Sequence, residues 1–302
     1  LGIKNVSFDV GDKFGSAVCV GEFEANSAGW HELRKAGIGG SDVAAVVGVS
    51  KWTSAYALWA TKSGLIPDDY KDSEAMEWGR LLEPVIREKF AARHPEWEVT
   101  NTNATFKSVE HEWLLANVDG IIQFEDGSHG VLEIKTAAYE DDWVHGVPMY
   151  YQTQVRHYLR VFGLTRAIVA VLFHGNAYKE FEVMSDSFVD AADFDMLEKF
   201  WAGVQNGTAP DWDGALSTYE TVRAMHPDIE NESVELGQLG MHLVNAAYDF
   251  DESQAKLNEM KSRCLDALGS AKYGVFTVGD DVRKVCYRSS KSGGTPFLVV
   301  KK

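Results

Sequence analysis

Apolar and polar positions change period several times along the chain, and each change marks an element. The opening stretch, roughly thirty residues, mixes glycine, charge and short apolar pieces, the pattern of a strand or hairpin leading to a loop. In WHELRKAGIGGSDVAAVVGVS, residues 30–50, Gly37, Gly39 and Gly40 predict a flexible loop, and Ser41 or Asp42 an N-cap for a helix over Val43–Val47. A second helix is expected over Ser54–Lys62. Over Asp72–His94, Met76, Leu82, Ile86 and Phe90 fall near helical spacing, with Pro84 as a kink.

The period then shortens. Strands are expected over Trp97–Thr105, Trp113–Val118, Gly120–Phe124 and Val131–Thr136, with a turn at Glu125–Gly130. Helical spacing returns over Pro148–Phe162. Two strands follow, Ala167–Phe173 and Tyr178–Met184, and then a helix over Asp186–Gln205. This order predicts an α/β or α+β core with a central mixed β-sheet flanked by helices. Asn206–Gly214 reads as a linker, beyond which a long helical pattern over Ile229–Leu268 and strands near 273–278, 282–287 and 296–300 form an appendage. The expected division is a core over 1–210 and a helix-and-hairpin appendage over 211–302.

One strand breaks the pattern. In VLEIKTA, residues 131–137, Leu132 and Ile134 share one face of the strand while Glu133 and Lys135 share the other. A strand that serves packing alone has little use for a carboxylate beside an ammonium. Asp119, in ANVDGII, stands fourteen positions before Glu133. If the two strands are neighbours, Asp119 converges on Glu133 and Lys135, and two carboxylates with carbonyl and water oxygens suit Mg²⁺ or Mn²⁺. Lys135 would orient an attacking water or stabilise charge on a phosphoryl oxygen. Spacing alone leaves the plainer alternative open, an ion pair on a half-exposed strand.

Composition narrows the chemistry. Forty-five acidic against 29 basic residues give a net charge of −16, which argues against a nucleic-acid partner unless a basic channel coexists with an acidic exterior. Cys19, Cys264 and Cys286 are scattered and odd in number, so a disulfide framework, a cysteine zinc site and a four-cysteine iron–sulfur cluster are not expected. The nine histidines form no H-x-x-H or H-E-x-x-H pair. No apolar run approaches the ~18–20 residues that span a bilayer, and Leu1–Val20 lacks a secretory pattern, so an intracellular protein is expected.

Taken together, LRKAGIGGSDVAAVVGVSKW, EWGRLLEPVI, NVDGII, LEIKT and QVRHY, in that order over residues 30–184, resemble the phage-type exonucleases of the lambda exonuclease/YqaJ recombinase family, within the PD-(D/E)xK nuclease superfamily. The resemblance implies that Asp119 and Glu133 bind metal, with the Ile134 carbonyl and Glu83 of GRLLEPVI as further ligands, and that Lys135 is the catalytic lysine. It implies that Gln154 and Tyr158 of QVRHY, four apart on one helical face, contact the site or the DNA backbone. Arg34, Gly40 and Ser41 resemble residues that hold DNA phosphates, including that of the 5′ end. The residues themselves agree: a Gly-rich loop, a hydroxyl and a helix start present donors, and Arg34 a bidentate fork. An ordinary N-cap after a glycine turn accounts for that loop as well. Val118 stands where the superfamily name has proline, a position without chemistry.

The activity so implied is a Mg²⁺-dependent 5′→3′ exonuclease on double-stranded DNA ends. It would leave 3′ single-stranded overhangs for a single-strand annealing recombinase. The resemblance also implies a ring-shaped homotrimer around DNA, and a phage or prophage protein in the cytoplasm of a bacterial host, with no membrane partner. Two other readings stay open at this stage: an endonuclease using the same residues, and a non-catalytic DNA-binding protein that keeps the fold.

Overall fold

The computed structural model describes residues 2–23, 27–68 and 72–301, which divide into two compact units, Leu1–Ile229 and Glu230–Lys302. The first unit begins with β1 (Ile3–Asn5), β2 (Lys13–Phe14) and β3 (Ala17–Glu22), then α1 (Ala28–Lys35), α2 (Gly40–Val46), α3 (Ala55–Lys62) and α4 (Glu74–Arg93). Five strands follow: β4 (Glu98–Asn101), β5 (Ala104–Ser108), β6 (Leu115–Asn117), β7 (Gly120–Gln123) and β8 (His129–Ala137). It closes with α5 (Met149–Phe162), β9 (Arg166–Phe173), β10 (Ala177–Met184), α6 (Ser187–Asn206) and α7 (Leu216–Met225). The second unit holds α8 (Gln238–Leu268) and an antiparallel sheet of β11 (Tyr273–Val278), β12 (Asp281–Ser289) and β13 (Phe297–Val300).

The central sheet is mixed, in the order β1-β4-β7-β8-β9-β10. β7 and β8 pair antiparallel, from Gly120 opposite Leu132 to Gln123 opposite His129, across a tight turn where Gly127 takes a φ of +81°. β8 and β9 pair parallel, joined by the crossover that carries α5. A smaller sheet, β2-β3-β5-β6, stands beside it.

Both faces of the central sheet are core. Leu132, Ile134, Ile168 and Ala170 pack with Ile86 and Phe90 of α4; Val131, Val169 and Val171 pack with Val155, Leu159 and Phe162 of α5. Glu133 therefore lies on a helix-covered face and is 2% exposed, not on a half-exposed strand as the plainer sequence alternative supposed.

Several boundaries differ from expectation for identifiable reasons. Arg34 lies in the last turn of α1, capped at its start by the Ser27 hydroxyl, and not in a loop. The N-cap of α2 is Gly39 and neither Ser41 nor Asp42, because the Asp42 carboxylate reaches back to accept the Gly39 N–H at 2.9 Å. Pro84 sits inside α4 without ending it. The units part at residues 229 and 230, past the expected 210 and 211, because α7 packs on α3: the Ser54 N–H donates to Ser217 and the Thr218 hydroxyl to Ser54 at 2.7 Å. Trp212, in the expected linker, stacks on Tyr56.

Candidate active site

The β7–β8 register brings the acidic residues together. One step beyond the Gly120–Leu132 pair, the Asp119 carboxylate accepts the Ile134 N–H at 2.7 Å. Glu133 and Lys135 lie one residue to either side of Ile134, and the Lys135 ammonium stands 2.5 Å from the Glu133 carboxylate. Asp119, Glu133, Ile134 and Lys135 thus meet at one place.

Gln154 of α5 ties the group together. Its amide N–H₂ donates to Glu133 at 3.0 Å and to the Tyr158 hydroxyl at 2.9 Å, while its carbonyl accepts from Lys135 at 3.3 Å. The i, i+4 spacing of Gln154 and Tyr158 lets one helical face do this. The Lys135 ammonium also sits 4.6 Å from the centre of the Tyr151 ring.

From the other side, α4 contributes Glu83 and Arg87. Arg87 is buried; it donates through Nε to the Asp119 carbonyl at 3.1 Å and through its fork to the Glu83 carboxylate one helical turn away. A cleft of about 560 Å³ opens here, lined by Glu22, Glu83, Thr102, Asn103, Asn117 and Asp119 among others. A more apolar hollow of about 480 Å³, lined by Val46, Ala55, Phe200 and Pro210 among others, has no such convergence of charge.

Crowding of carboxylates in a dry place shifts their protonation. Burial, then the charge of Asp119, pushes Glu133 up to about 8 and Glu83 up to about 7; burial also raises Asp119. Lys135 loses hydration, but Glu133 and Asp119 more than compensate and hold its ammonium charged above the usual lysine range. Burial, then the Glu133 charge, keeps the Tyr158 phenol protonated.

The donor set fits a hard divalent cation. The available ligands are oxygens, and Glu133 Oε2 is buried without a hydrogen-bond partner, an arrangement costly to keep unless something binds it. Among the described residues no group of three or more His, Cys, Asp or Glu side chains is placed to hold a metal ion by itself. Glu83 is engaged by Arg87 and Glu133 by Lys135 and Gln154, so backbone carbonyl and water must complete any coordination.

The expected phosphate loop adjoins this site. Gly40 packs against the Tyr158 ring, where a Cβ would stand 2.3 Å from Cε1. Arg34 lies 4.7 Å over the Trp30 ring and donates to Asp42 at 3.2 Å; Ser41 is exposed in the first turn of α2. Sequence reasoning missed Arg87, Lys62 and, except as a cap, Asp42. Arg87 left a faint signal as the i+4 partner of Glu83, whereas Lys62 looks like any lysine in a last helical turn.

The model of the YqaJ-like viral recombinase domain matches residues 29–165, the span that contains every site residue named above except Glu22. YqaJ of Bacillus subtilis strain 168 is 30% identical over 256 residues, which cover 81% of this chain and 79% of that protein. The chain belongs to the YqaJ-like viral recombinase family. Membership of this family indicates a nuclease, a DNA phosphodiesterase. Solved structures of similar fold include an alkaline exonuclease from Laribacter hongkongensis, with a TM-score of 0.48 and 17% identity over 60% of this chain and 94% of that one. A phage-related exonuclease from Haemophilus somnus 129PT aligns with a TM-score of 0.37 and 11% identity over 59% of this chain and 95% of that one. Among the described residues no helix is long and apolar enough to cross a membrane.

Proposed function

We propose that the protein is a Mg²⁺-dependent exonuclease, with Mn²⁺ as an alternative ion, that digests one strand of double-stranded DNA from its 5′ end. The 3′ overhangs it leaves would feed a single-strand annealing recombinase, and the working form is a homotrimeric ring. The observation that carries the reading is the Asp119–Ile134 bond, which sets one carboxylate beside the strand that bears Glu133 and Lys135. Asp119 and Glu133 would hold the ion, with the Ile134 carbonyl, water and, once turned from Arg87, Glu83 completing the set. The ion, when bound, supplies Lewis-acid polarisation of the phosphate and a water acidic enough to attack near neutral pH.

The chain's own residues do the rest. Lys135 stays charged and places its ammonium where negative charge grows on the scissile phosphate. Gln154 fixes Lys135 and Glu133 in one geometry, and Tyr158 fixes Gln154. Arg87 holds the Asp119 backbone from behind. Arg34, Gly40 and Ser41 receive the phosphate at the 5′ end.

The test compares linear duplex DNA with a 5′-phosphate, linear duplex with a 5′-hydroxyl, and a covalently closed circle, each with Mg²⁺ and with EDTA. Digestion confined to linear DNA, faster with the 5′-phosphate and abolished by EDTA, is the expected result. Cutting of the circle would replace the reading with an endonuclease, and absence of any metal-dependent cleavage would leave a DNA-binding protein.

A further inference from the structure

Lys62, at the end of α3, is the most deeply buried cation near the expected phosphate loop, with a side chain 3% exposed. Its ammonium has three donors and three acceptors around it: the Asp42 carboxylate at 2.9 Å and the carbonyls of Arg34 and Gly37, each at 2.7 Å. Asp42 is as enclosed, at 4%, and is itself shared: Oδ2 receives Lys62 and the Gly39 N–H, while Oδ1 receives the Arg34 guanidinium at 3.2 Å. Burial opposes the charge on Asp42, but Lys62 and Arg34 hold its carboxyl below the usual range.

The geometry of that sharing matters. The single 3.2 Å contact between Arg34 and Asp42 is not the paired fork that an arginine and a free carboxylate prefer. Lys62 occupies the other carboxylate oxygen, and the Asp68 carboxylate stands 4.0 Å from Arg34 Nε, beyond hydrogen-bond reach, so Arg34, 32% exposed, keeps donors for another anion. Lys62 also pins the carbonyls at both ends of residues 34–37, which join α1 to the turn. That turn runs on to Gly40 on the Tyr158 ring, and Tyr158 accepts from Gln154, which holds Glu133. A buried ion pair contributes little to stability compared with an apolar pair of the same volume, which makes a positioning role the better account of its cost.

We infer that Lys62 and Asp42 are positioning residues that set the reach of Arg34, and through it the preference for a duplex end bearing a 5′-phosphate. Neither residue touches DNA. This rests on the nuclease reading above and on Arg34 as the terminal-phosphate ligand. Without Lys62, the carbonyls of Arg34 and Gly37 lose their tie and the whole Asp42 charge falls on Arg34, which withdraws; without Asp42 as well, Arg34 loses both that tie and its anchor.

The experiment measures kcat/KM on linear duplex with a 5′-phosphate and with a 5′-hydroxyl, for wild type, Lys62→Met, the double variant Lys62→Met with Asp42→Asn, Arg34→Ala, and Arg34→Ala with Lys62→Met. The double variant removes both buried charges together and so remains foldable where Lys62→Met alone does not. The phosphate-to-hydroxyl ratio is expected to fall about tenfold in the folded Lys62 variants, chiefly through KM, the effect of losing one charge-assisted hydrogen bond. In the Arg34→Ala background, Lys62→Met is expected to change the ratio no further, because Lys62 acts through Arg34. Folded variants with the wild-type ratio, or an undiminished Lys62 effect without Arg34, would overturn the inference alone. A wild type indifferent to the 5′-phosphate would overturn the terminal-phosphate reading and the inference together.

Discussion

The Asp119 carboxylate accepts a hydrogen bond from the Ile134 backbone amide at 2.7 Å, so one acidic residue of the site is tied to the strand that presents the other. The spacing of Asp119 and Glu133 is thus set by a backbone contact and a strand register, not by two side chains finding each other. Substitutions at this point should change chemistry more than fold.

Asp119→Asn keeps an oxygen for the Ile134 amide, and Lys135→Ala removes only the ammonium. Each is expected to lower cleavage of linear duplex at least about 100-fold, the scale seen when one group that stabilises developing charge is lost. Circular dichroism should remain that of the wild type, and a Lys135→Ala protein that cleaves at wild-type rates would refute the role given to Lys135.

Gln154→Ala removes the bridge among Glu133, Lys135 and Tyr158. Lys135 then keeps its pair with Glu133 but loses its alignment. The expected outcome is a fall in kcat of about tenfold to 100-fold with a smaller change in KM, read in single-turnover digestion.

Arg87→Met fills much of the same volume but leaves the Asp119 carbonyl and the Glu83 carboxylate without their donor. Two charge-assisted hydrogen bonds of a buried guanidinium are lost, one of them to a half-buried carboxylate, a destabilisation of about 2–3 kcal/mol. Urea unfolding monitored by tryptophan fluorescence should show it as a lower midpoint at unchanged slope.

Gly40→Ala places a methyl 2.3 Å from Tyr158 Cε1 and 2.8 Å from its hydroxyl oxygen. The ring must shift, and the Gln154–Tyr158 bond with it. A cost of about 1–3 kcal/mol is expected from overpacking, together with reduced cleavage. Thermal melting and digestion rates measured on the same preparation test both.

His157 gives stability a pH dependence of known sign. It is buried in α5, its Nε2 lies 2.9 Å from the Leu115 carbonyl, and burial pulls its pKa from 6.5 down to about 4. Between those values the unfolded chain binds a proton that the folded one refuses. This contribution is therefore complete above pH 6.5 and is lost as pH falls towards 4, by about 3 kcal/mol. The raised carboxylates of the site act in the opposite sense, so the measurement is the difference in unfolding free energy between wild type and His157→Gln from pH 7 to 4. A constant difference would contradict it.

The main elements were legible because their periods are strong: β7, β8, α5, β9 and β10 lie within a few residues of their expected bounds. The convergence of Asp119, Glu133 and Lys135 was legible because Asp119 immediately precedes β7, which a short turn joins to the β8 strand that bears Glu133 and Lys135, so sequence distance translates directly into register. The burial of Glu133 was not, since a strand does not reveal whether helices cover both faces. α1 and α7 escaped notice because each is short, and α7 owes its place to contacts with Ser54 more than 150 residues earlier. Lys62 was invisible for the same reason: its three partners come from two other helices and a turn, and nothing in its neighbours announces them.

The β7–β8 hairpin carries one further consequence, for the order in which the site assembles. Its contacts are local, so loop closure costs little and the pair can form early; the parallel joining of β8 to β9 waits on the crossover through α5. Asp119 and Glu133 therefore approach each other while still wet, and Lys135 arrives on the same strand as their countercharge. Gln154 and Tyr158 dock afterwards. The acids and their lysine come as one prefabricated piece, and the residues that align them are the last to close over it.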